Sequence, residues 1–164
     1  MSLTGSTRRA GHLRVNGTDI YHEVRGSGPP VLFISGMTGD AGHYAKVAEV
    51  LATEFTAVTY DRRGNSRSPR PPGWGTNADV GLGIEFDAFI GFDPTPVRRP
   101  EGIPVVTAAG IENRYPEAFN HFVWETTEWL AKRWGTELVA TSGAHVPYLT
   151  HPKEFAEQLR ALLR

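Results

Sequence analysis

The sequence contains no cysteine among its 164 residues. This absence excludes disulfide bonds, thiolate metal sites and cysteine nucleophiles together, and it is typical of proteins from a reducing cytoplasm. An excess of charge is also lacking, since 17 basic residues stand against 18 acidic ones and the formal net charge is −1. Such a balance gives no attraction toward nucleic acid or an anionic membrane surface.

Long apolar runs are absent as well, and none approaches the ~20 residues that cross a bilayer. Residues 1–10 are small, polar and basic without an apolar centre, so we interpret them as a flexible tail rather than a signal peptide. Residues 11–164 suffice for one domain. The six histidines are scattered, and neither a metal-binding pair nor a phosphate loop occurs, so no metal and no cofactor is expected.

The hydrophobic pattern predicts alternating strands and helices behind an N-terminal β-hairpin. Asn16-Gly17 is the dipeptide that favours a tight hairpin turn, and continuous apolar runs indicate strands that are covered on both faces. The predicted strands after the hairpin are Val31–Ser35, Phe55–Tyr60, Pro104–Ala109 and Glu137–Thr141, and the predicted helices follow Asp40 or span Asp79–Phe92, Pro116–Trp134 and Pro152–Leu163. This order predicts an α/β fold with a mostly parallel sheet and helices on both faces.

Four motifs in order resemble the α/β-hydrolase fold family, especially its esterase-like and cofactor-free haloperoxidase-like members. They are Val15-Asn16-Gly17, the loop Ser35-Gly36-Met37-Thr38-Gly39, the turn Asp61–Ser68 and the late loop Gly143-Ala144-His145. The resemblance covers nearly all of the chain outside the tail. It implies a serine-type hydrolase in which a serine attacks a carbonyl, a histidine takes its proton and an acid orients the histidine.

His145 matches the family's catalytic histidine, because it follows the last predicted strand and precedes the closing helix; a structural loop histidine is the alternative. Glu112 is the better candidate for the acid, since the neighbouring Asn113 carries no charge, although a solvated loop carboxylate or helix cap would use Glu112 equally well. The resemblance also implies that the backbone N–H of Met37 is an oxyanion donor and that Gly36 allows a close approach.

The nucleophile is unknown, because the expected Gly-x-Ser-x-Gly motif is missing and no serine lies between Ser68 and Ser142. Ser66 lies in a partial match, Gly64-Asn65-Ser66-Arg67-Ser68, but the prolines that follow would prevent the required helix. The aspartates are no better: Asp93 precedes a proline that has no N–H to donate, Asp79 follows no strand, and Asp87 lies within a predicted helix.

The missing motif and the short chain indicate an internal deletion that removes the nucleophile segment and most of the cap segment. One-domain α/β enzymes often run to roughly 200–250 residues. The resemblance implies the strand order one, two, four, three, five, six, seven, eight. If strands five and six are missing, strand three either pairs with strand seven or the two strands leave open sheet edges. We favour open edges, which would invite a homodimer or a strand-exchanged oligomer.

Two functions from different classes are therefore open. The first is a cytoplasmic hydrolase that acts on small carboxylic esters, with His145 and Glu112 supported by an unidentified nucleophile or an activated water. The second is a non-catalytic scaffold, or a binding and dimerisation module, that keeps the shell of the site.

Overall fold

The computed structural model describes residues 7–37, 39–75 and 86–164. These residues divide into two compact units, Met1–Asp93 and Pro94–Arg164, and each unit is described by itself. The single domain over residues 11–164 stays a prediction.

The first unit is a four-stranded sheet with one main helix. Its elements are β1 (Arg9–Val15), β2 (Thr18–Arg25), β3 (Pro30–Leu32), α1 (Ala45–Leu51), β4 (Thr56–Tyr60) and α2 (Phe86–Ile90). The strand order is β1-β2-β4-β3. The pairs β1–β2 and β2–β4 are antiparallel, while β3 and β4 run parallel. This order confirms the arrangement that the family resemblance implies for the first four strands.

The N-terminal hairpin turns at the predicted dipeptide. Both turn residues have positive φ, 46° at Asn16 and 79° at Gly17, as the tight hairpin turn requires. β1 begins earlier than expected, because Arg9 and Ala10 pair with Val24 and Glu23. The predicted tail over residues 1–10 is therefore wrong at its last two residues, which the ladder with β2 holds in place.

Helix α1 covers one face of this sheet. A short 3₁₀ turn, Ala41–Tyr44, precedes it, and the Asp40 carboxylate caps that turn by accepting from the backbone N–H groups of Gly42 and His43, as predicted. The side chains of Val47 and Leu51 are fully buried. Along β4 the burial alternates, so Ala57 and Thr59 point toward the helix and are buried while their neighbours are not.

The opposite face of the sheet is open. Leu13, Leu32 and Ile34 expose 61%, 57% and 71% of their surface. We use the name open face for the apolar residues of this side, which are Leu13, Val15, Ile20, Leu32, Ile34 and Val58. The prediction that Val31–Ser35 is a strand covered on both faces is therefore wrong: the strand spans Pro30–Leu32, and only one side is covered by a helix among the described residues.

The second unit has two parallel strands and three helices. They are β5 (Thr107–Gly110), α3 (His121–Trp134), β6 (Leu138–Thr141), α4 (Pro147–Thr150) and α5 (Pro152–Leu162), with β5 paired to β6. The predicted start of β5 at Pro104 is wrong. Proline has no N–H for a ladder bond, and the strand is only as long as its partner.

Helix α3 begins five residues later than predicted. Residues 115–120 form turns instead, with the N–H of Ala118 bonded to the carbonyl of Tyr115 and that of His121 to the carbonyl of Ala118. Tyr115 has an extended backbone with ψ of 131°, which is the preference of a residue that precedes proline. The predicted end is confirmed, because Gly135 has a φ of 62° and caps the helix in the left-handed conformation.

Of the predicted helix Asp79–Phe92, the segment Phe86–Ile90 is helical and residues 79–85 lie outside the described residues. Between β4 and β5 the described residues form no strand. No helix in the described part of the chain has the length and apolarity needed to cross a membrane.

Candidate functional site

The loops that carry His145 and Glu112 lie side by side at the carboxyl ends of β5 and β6. Glu112 belongs to a 3₁₀ turn, Ile111–Arg114, that follows β5 directly. The loop that follows β6 ends in His145, just before α4. The backbone N–H of Glu112 donates to the carbonyl of Gly143 at 3.1 Å, so one hydrogen bond joins the two loops. The carboxyl ends of parallel strands are where open α/β sheets bind their ligands.

Gly110 permits this contact between the loops. A Cβ at this position would overlap the carbonyl oxygens of Gly143 and Ala144. Its φ of −64° is one that any residue adopts. Glycine is therefore required at this position because the two loops leave no space for a side chain. The backbone conformation does not require it.

The structure brings the two loops together but not their side chains. His145 and Glu112 are both exposed, and no hydrogen bond or ion pair of the described residues joins them. Asn113, by contrast, is 1% exposed, and its side-chain nitrogen has no hydrogen-bond partner among the described residues. Its backbone carbonyl accepts from the Nδ1 of His121 at 3.0 Å, so this residue anchors the loop that positions Glu112.

Gly36 and Met37, which are the oxyanion candidates, lie in the first unit. They follow β3 in a tight turn, where the N–H of Gly39 donates to the carbonyl of Gly36 at 3.1 Å. The side-chain amide of Asn65 holds the turn by donating to the carbonyl of Met37 at 3.1 Å. A Cβ on Gly36 would meet no atom within 4 Å, so the surface beside this turn is open to a small molecule.

Ser66 lies in a turn and not at the start of a helix. Its φ is 45°, and its hydroxyl donates to the Asp40 carboxylate at 2.6 Å. The residues that follow it continue as turns, with the N–H of Ser68 bonded to the carbonyl of Asn65 at 2.9 Å. The strand–serine–helix arrangement of a hydrolase nucleophile is absent from this stretch, and its predicted role as a structural turn is confirmed.

A buried charge network holds this turn against the sheet. The guanidinium of Arg67 donates to both oxygens of the Asp61 carboxylate, at 2.7 and 2.8 Å, and to Glu23 at 3.1 Å. Arg25 binds the other Glu23 oxygen at 2.6 Å. The Arg67 guanidinium also stacks 3.8 Å above the centre of the Tyr21 ring. Asp61 and Glu23 are therefore both held by arginine side chains.

This network lowers the pKa of both carboxylates. Burial alone would raise the pKa of Asp61, but hydrogen bonds from the Arg67 side chain and from the backbone of Ala41 and Arg67 outweigh it, so the pKa falls below its ordinary value. Burial likewise opposes ionisation of Glu23, and hydrogen bonds from Arg25 and Tyr21 overcome it, so its pKa is lowered too. Both groups are charged at neutral pH, and each is bound by arginine.

The three aspartates that were candidate nucleophiles do not form a nucleophile site among the described residues. Asp87 lies in α2, where its carbonyl accepts from the N–H of Gly91, as predicted. Asp93 precedes Pro94 and follows no strand, and Asp79 lies outside the described residues. Among the described residues there is also no group of three or more side chains that could hold a metal ion.

Solved structures resemble the chain over nearly its whole length. An α/β hydrolase from Sphaerobacter thermophilus superposes with a TM-score of 0.64 at 17% identity, covering 94% of this chain and 100% of that one. A haloalkane dehalogenase from Agrobacterium tumefaciens superposes with a TM-score of 0.53 at 13% identity, covering 95% and 96% of the two chains. These similarities show the fold.

Sequence relatives agree with the fold. The chain is 53% identical over 58 residues to YraK of Bacillus subtilis, an uncharacterised hydrolase. It is 40% identical over 55 residues to RutD of Azorhizobium caulinodans, a carbamate hydrolase by name. The chain has an α/β-hydrolase fold.

The match to these relatives is partial. It spans 35% and 34% of this chain but only 21% of the length of each relative. No protein-family model matches the chain. With six strands among its described residues, the chain has a shortened version of the α/β-hydrolase fold.

Sequence reasoning missed the open face. The apolar run of β3 indicates burial without showing what covers each side. The sequence nevertheless contains a sign of it. Between Ser68 and Pro104 there are too few predicted helical segments to cover a second face of the sheet. It also missed Asn113 as the buried anchor of the Glu112 loop, because an asparagine in a turn is ordinarily solvated.

Proposed function

We propose that this chain carries a site for small carboxylic esters that lacks its nucleophile. His145 is the general base and Glu112 is the acid that orients it. Within the first unit, the N–H of Met37 is by itself a candidate oxyanion donor, with Gly36 leaving room beside it. Without a covalent nucleophile, the base can only activate a water molecule.

The observation that carries this proposal is the hydrogen bond between the Glu112 and Gly143 backbones, which keeps the base and acid loops adjacent. Both side chains are exposed on these adjacent loops, so packing does not fix either of them in a position away from the other. General-base catalysis by a well positioned group contributes about 10²–10⁴-fold. A base that no substrate-binding pocket positions falls below that range.

The test is hydrolysis of p-nitrophenyl acetate by the purified chain and by its His145→Ala variant. We expect the wild-type rate to exceed that of the variant by about two- to tenfold, because water replaces the missing serine. His12→Ala is the matched control, since His12 is an exposed histidine of β1 in the other unit, and it should leave the rate unchanged. A loss above about a hundredfold in His145→Ala would contradict the proposal by showing a complete catalytic site.

A fluorophosphonate probe supplies an independent check for a serine nucleophile. We expect no covalent labelling, because the Ser66 hydroxyl is bonded to Asp40 in a turn. Stoichiometric labelling of Ser66, located by peptide mass mapping, would overturn the assignment.

The second candidate is a non-catalytic scaffold or dimerisation module of cytoplasmic location. The open face and the unpaired edge of β3 in the first sheet favour it, since such surfaces are ordinarily covered. The absence of cysteine supports the cytoplasm, which cell fractionation would test. Equal ester hydrolysis by wild type and His145→Ala would favour this candidate over the first.

A further inference from the structure

The open face contains a groove of about 550 Å³ that lies entirely within the first unit. Its walls come from all four strands, with Leu13 on β1, Ile20 on β2, Val58 on β4 and Leu32 on β3. This volume falls within the range of about 300–1,000 Å³ that is usual for small-molecule sites. A contiguous apolar surface of this kind marks a site of binding in proteins that are stable in water.

The groove extends both across the four strands and along them, since residues two positions apart on the same strand line it, such as Leu13 and Val15 on β1. Leu13 pairs with Ile20 and Leu32 with Val58 in the ladders. Four strands span three spacings of about 4.8 Å, or about 14 Å. An extended apolar chain of about this length fits on the surface.

The charge of the groove is confined to one end. Arg62 and Arg63 follow β4 and are the only arginine, lysine or carboxylate side chains among the described residues that line it. Arg63 is fixed by a hydrogen bond from its guanidinium to the carbonyl of Val15 at 3.2 Å. Guanidinium groups match carboxylates in charge and in hydrogen-bond geometry.

We propose that the open face binds the anion of a single-chain fatty acid. The alkyl chain lies across the four strands and the carboxylate binds at Arg62 and Arg63. A second copy of the chain would offer these arginines no carboxylate from its own groove, because no acidic residue is among the described residues that line it. This site is separate from His145 and Glu112, so it does not depend on the proposed ester chemistry.

Isothermal titration calorimetry of the full chain with octanoate, decanoate and dodecanoate tests the proposal. We expect one saturable site whose Kd falls about fifteenfold for every two added carbons, since each buried methylene contributes about fourfold. Arg63→Gln should raise the Kd of dodecanoate about fivefold, which is the effect of losing a part-exposed ion pair. It should leave the Kd of dodecanol unchanged. Equal binding of dodecanol and dodecanoate by the wild type would overturn the proposed carboxylate site.

Leu13→Glu is the groove variant of choice, because Leu13 is already 61% exposed and its replacement should not prevent folding. It should abolish dodecanoate binding, while Leu163→Glu, at a residue 45% exposed in the other unit, should not. Three results would overturn the proposal: no saturable binding, adsorption to anionic phosphatidylglycerol vesicles in its place, or dissociation of a wild-type dimer by Leu13→Glu. The last would show that a second copy covers the face.

Discussion

At the scale of single residues, the charge network around Asp61 is the most constrained feature of the first unit. Asp61 is fully buried and accepts hydrogen bonds from the Arg67 side chain and from two backbone N–H groups. These bonds connect the end of β4 to the start of the turn before α1. The carboxylate therefore organises the loop that carries the oxyanion candidates without taking part in chemistry.

We expect Asp61→Asn to lower the free energy of unfolding by about 2 kcal/mol, because a buried carboxylate that accepts charge-assisted hydrogen bonds from Arg67 is lost. The same variant should reduce the pH dependence of stability. In the wild type the lowered pKa values of Asp61 and Glu23 mean that the unfolded chain binds protons first as pH falls. Their stabilisation is complete above the ordinary pKa values and is lost as pH falls through the lowered ones.

Urea denaturation between about pH 3 and 7 measures both effects. Asp19→Asn is the control, since Asp19 forms an exposed ion pair with Arg14 that contributes at most about 1 kcal/mol. If Asp61→Asn unfolds at the same urea concentration as the wild type throughout this range, the network has no structural role.

At the scale of elements, the second unit depends on the close approach of the loops after β5 and β6. Each strand has four residues, so the two-stranded ladder is short. The contact at Gly110 and the bond from the Ser142 N–H to the Gln158 side chain at 2.9 Å tie these loops to each other and to α5. The positions of His145 and Glu112 follow from this packing.

Gly110→Ala should therefore destabilise the chain by about 1–3 kcal/mol, because the added methyl group overlaps two carbonyl oxygens and forces the loops apart. Thermal unfolding followed by circular dichroism measures the change. Gly36→Ala is the matched control, since its methyl group would meet no atom within 4 Å. Equal melting temperatures for the two variants would contradict the packing described at Gly110.

At the scale of the whole molecule, a shortened α/β hydrolase leaves surfaces that a longer chain would cover. β3 is a terminal strand of its sheet. The N–H of Phe33 donates to Val58 on β4, so the alternate N–H of Leu32 points away from the sheet. An outer edge of this kind is a template for pairing with another strand.

We propose that this edge joins two copies into a homodimer or a strand-exchanged oligomer. Size-exclusion chromatography with light scattering should give at least twice the chain mass of 18.0 kDa. Leu32→Pro should reduce it to the monomer, because proline removes the outward donor. Leu32→Ala, which shortens the same side chain but keeps the donor, should stay assembled. A wild-type mass of 18.0 kDa would contradict the proposal.

Much of the local structure could be predicted from the sequence, because its causes are local. The hairpin turn at Asn16-Gly17, the cap at Asp40 and the helix end at Gly135 each depend on the conformational preference of one or two residues. The short β5 could not be predicted in this way, because its length depends on the strand with which it pairs, and apolar periodicity does not show that length.

The candidate site divides in the same way. Motif order alone singled out His145, Glu112, Gly36 and Met37, and these assignments stay predictions. The lack of cysteine and of a Gly-x-Ser-x-Gly motif is a property of the sequence by itself, as is the family resemblance that the comparisons confirmed. Only the tertiary structure decided that the loops of Glu112 and His145 touch, that the buried Asp61 is held by a half-exposed Arg67, and that one face of the sheet is open. Contacts between residues that are distant in the sequence depend on how the elements pack. The sequence shows that a residue is apolar, but it does not show whether another element covers that residue.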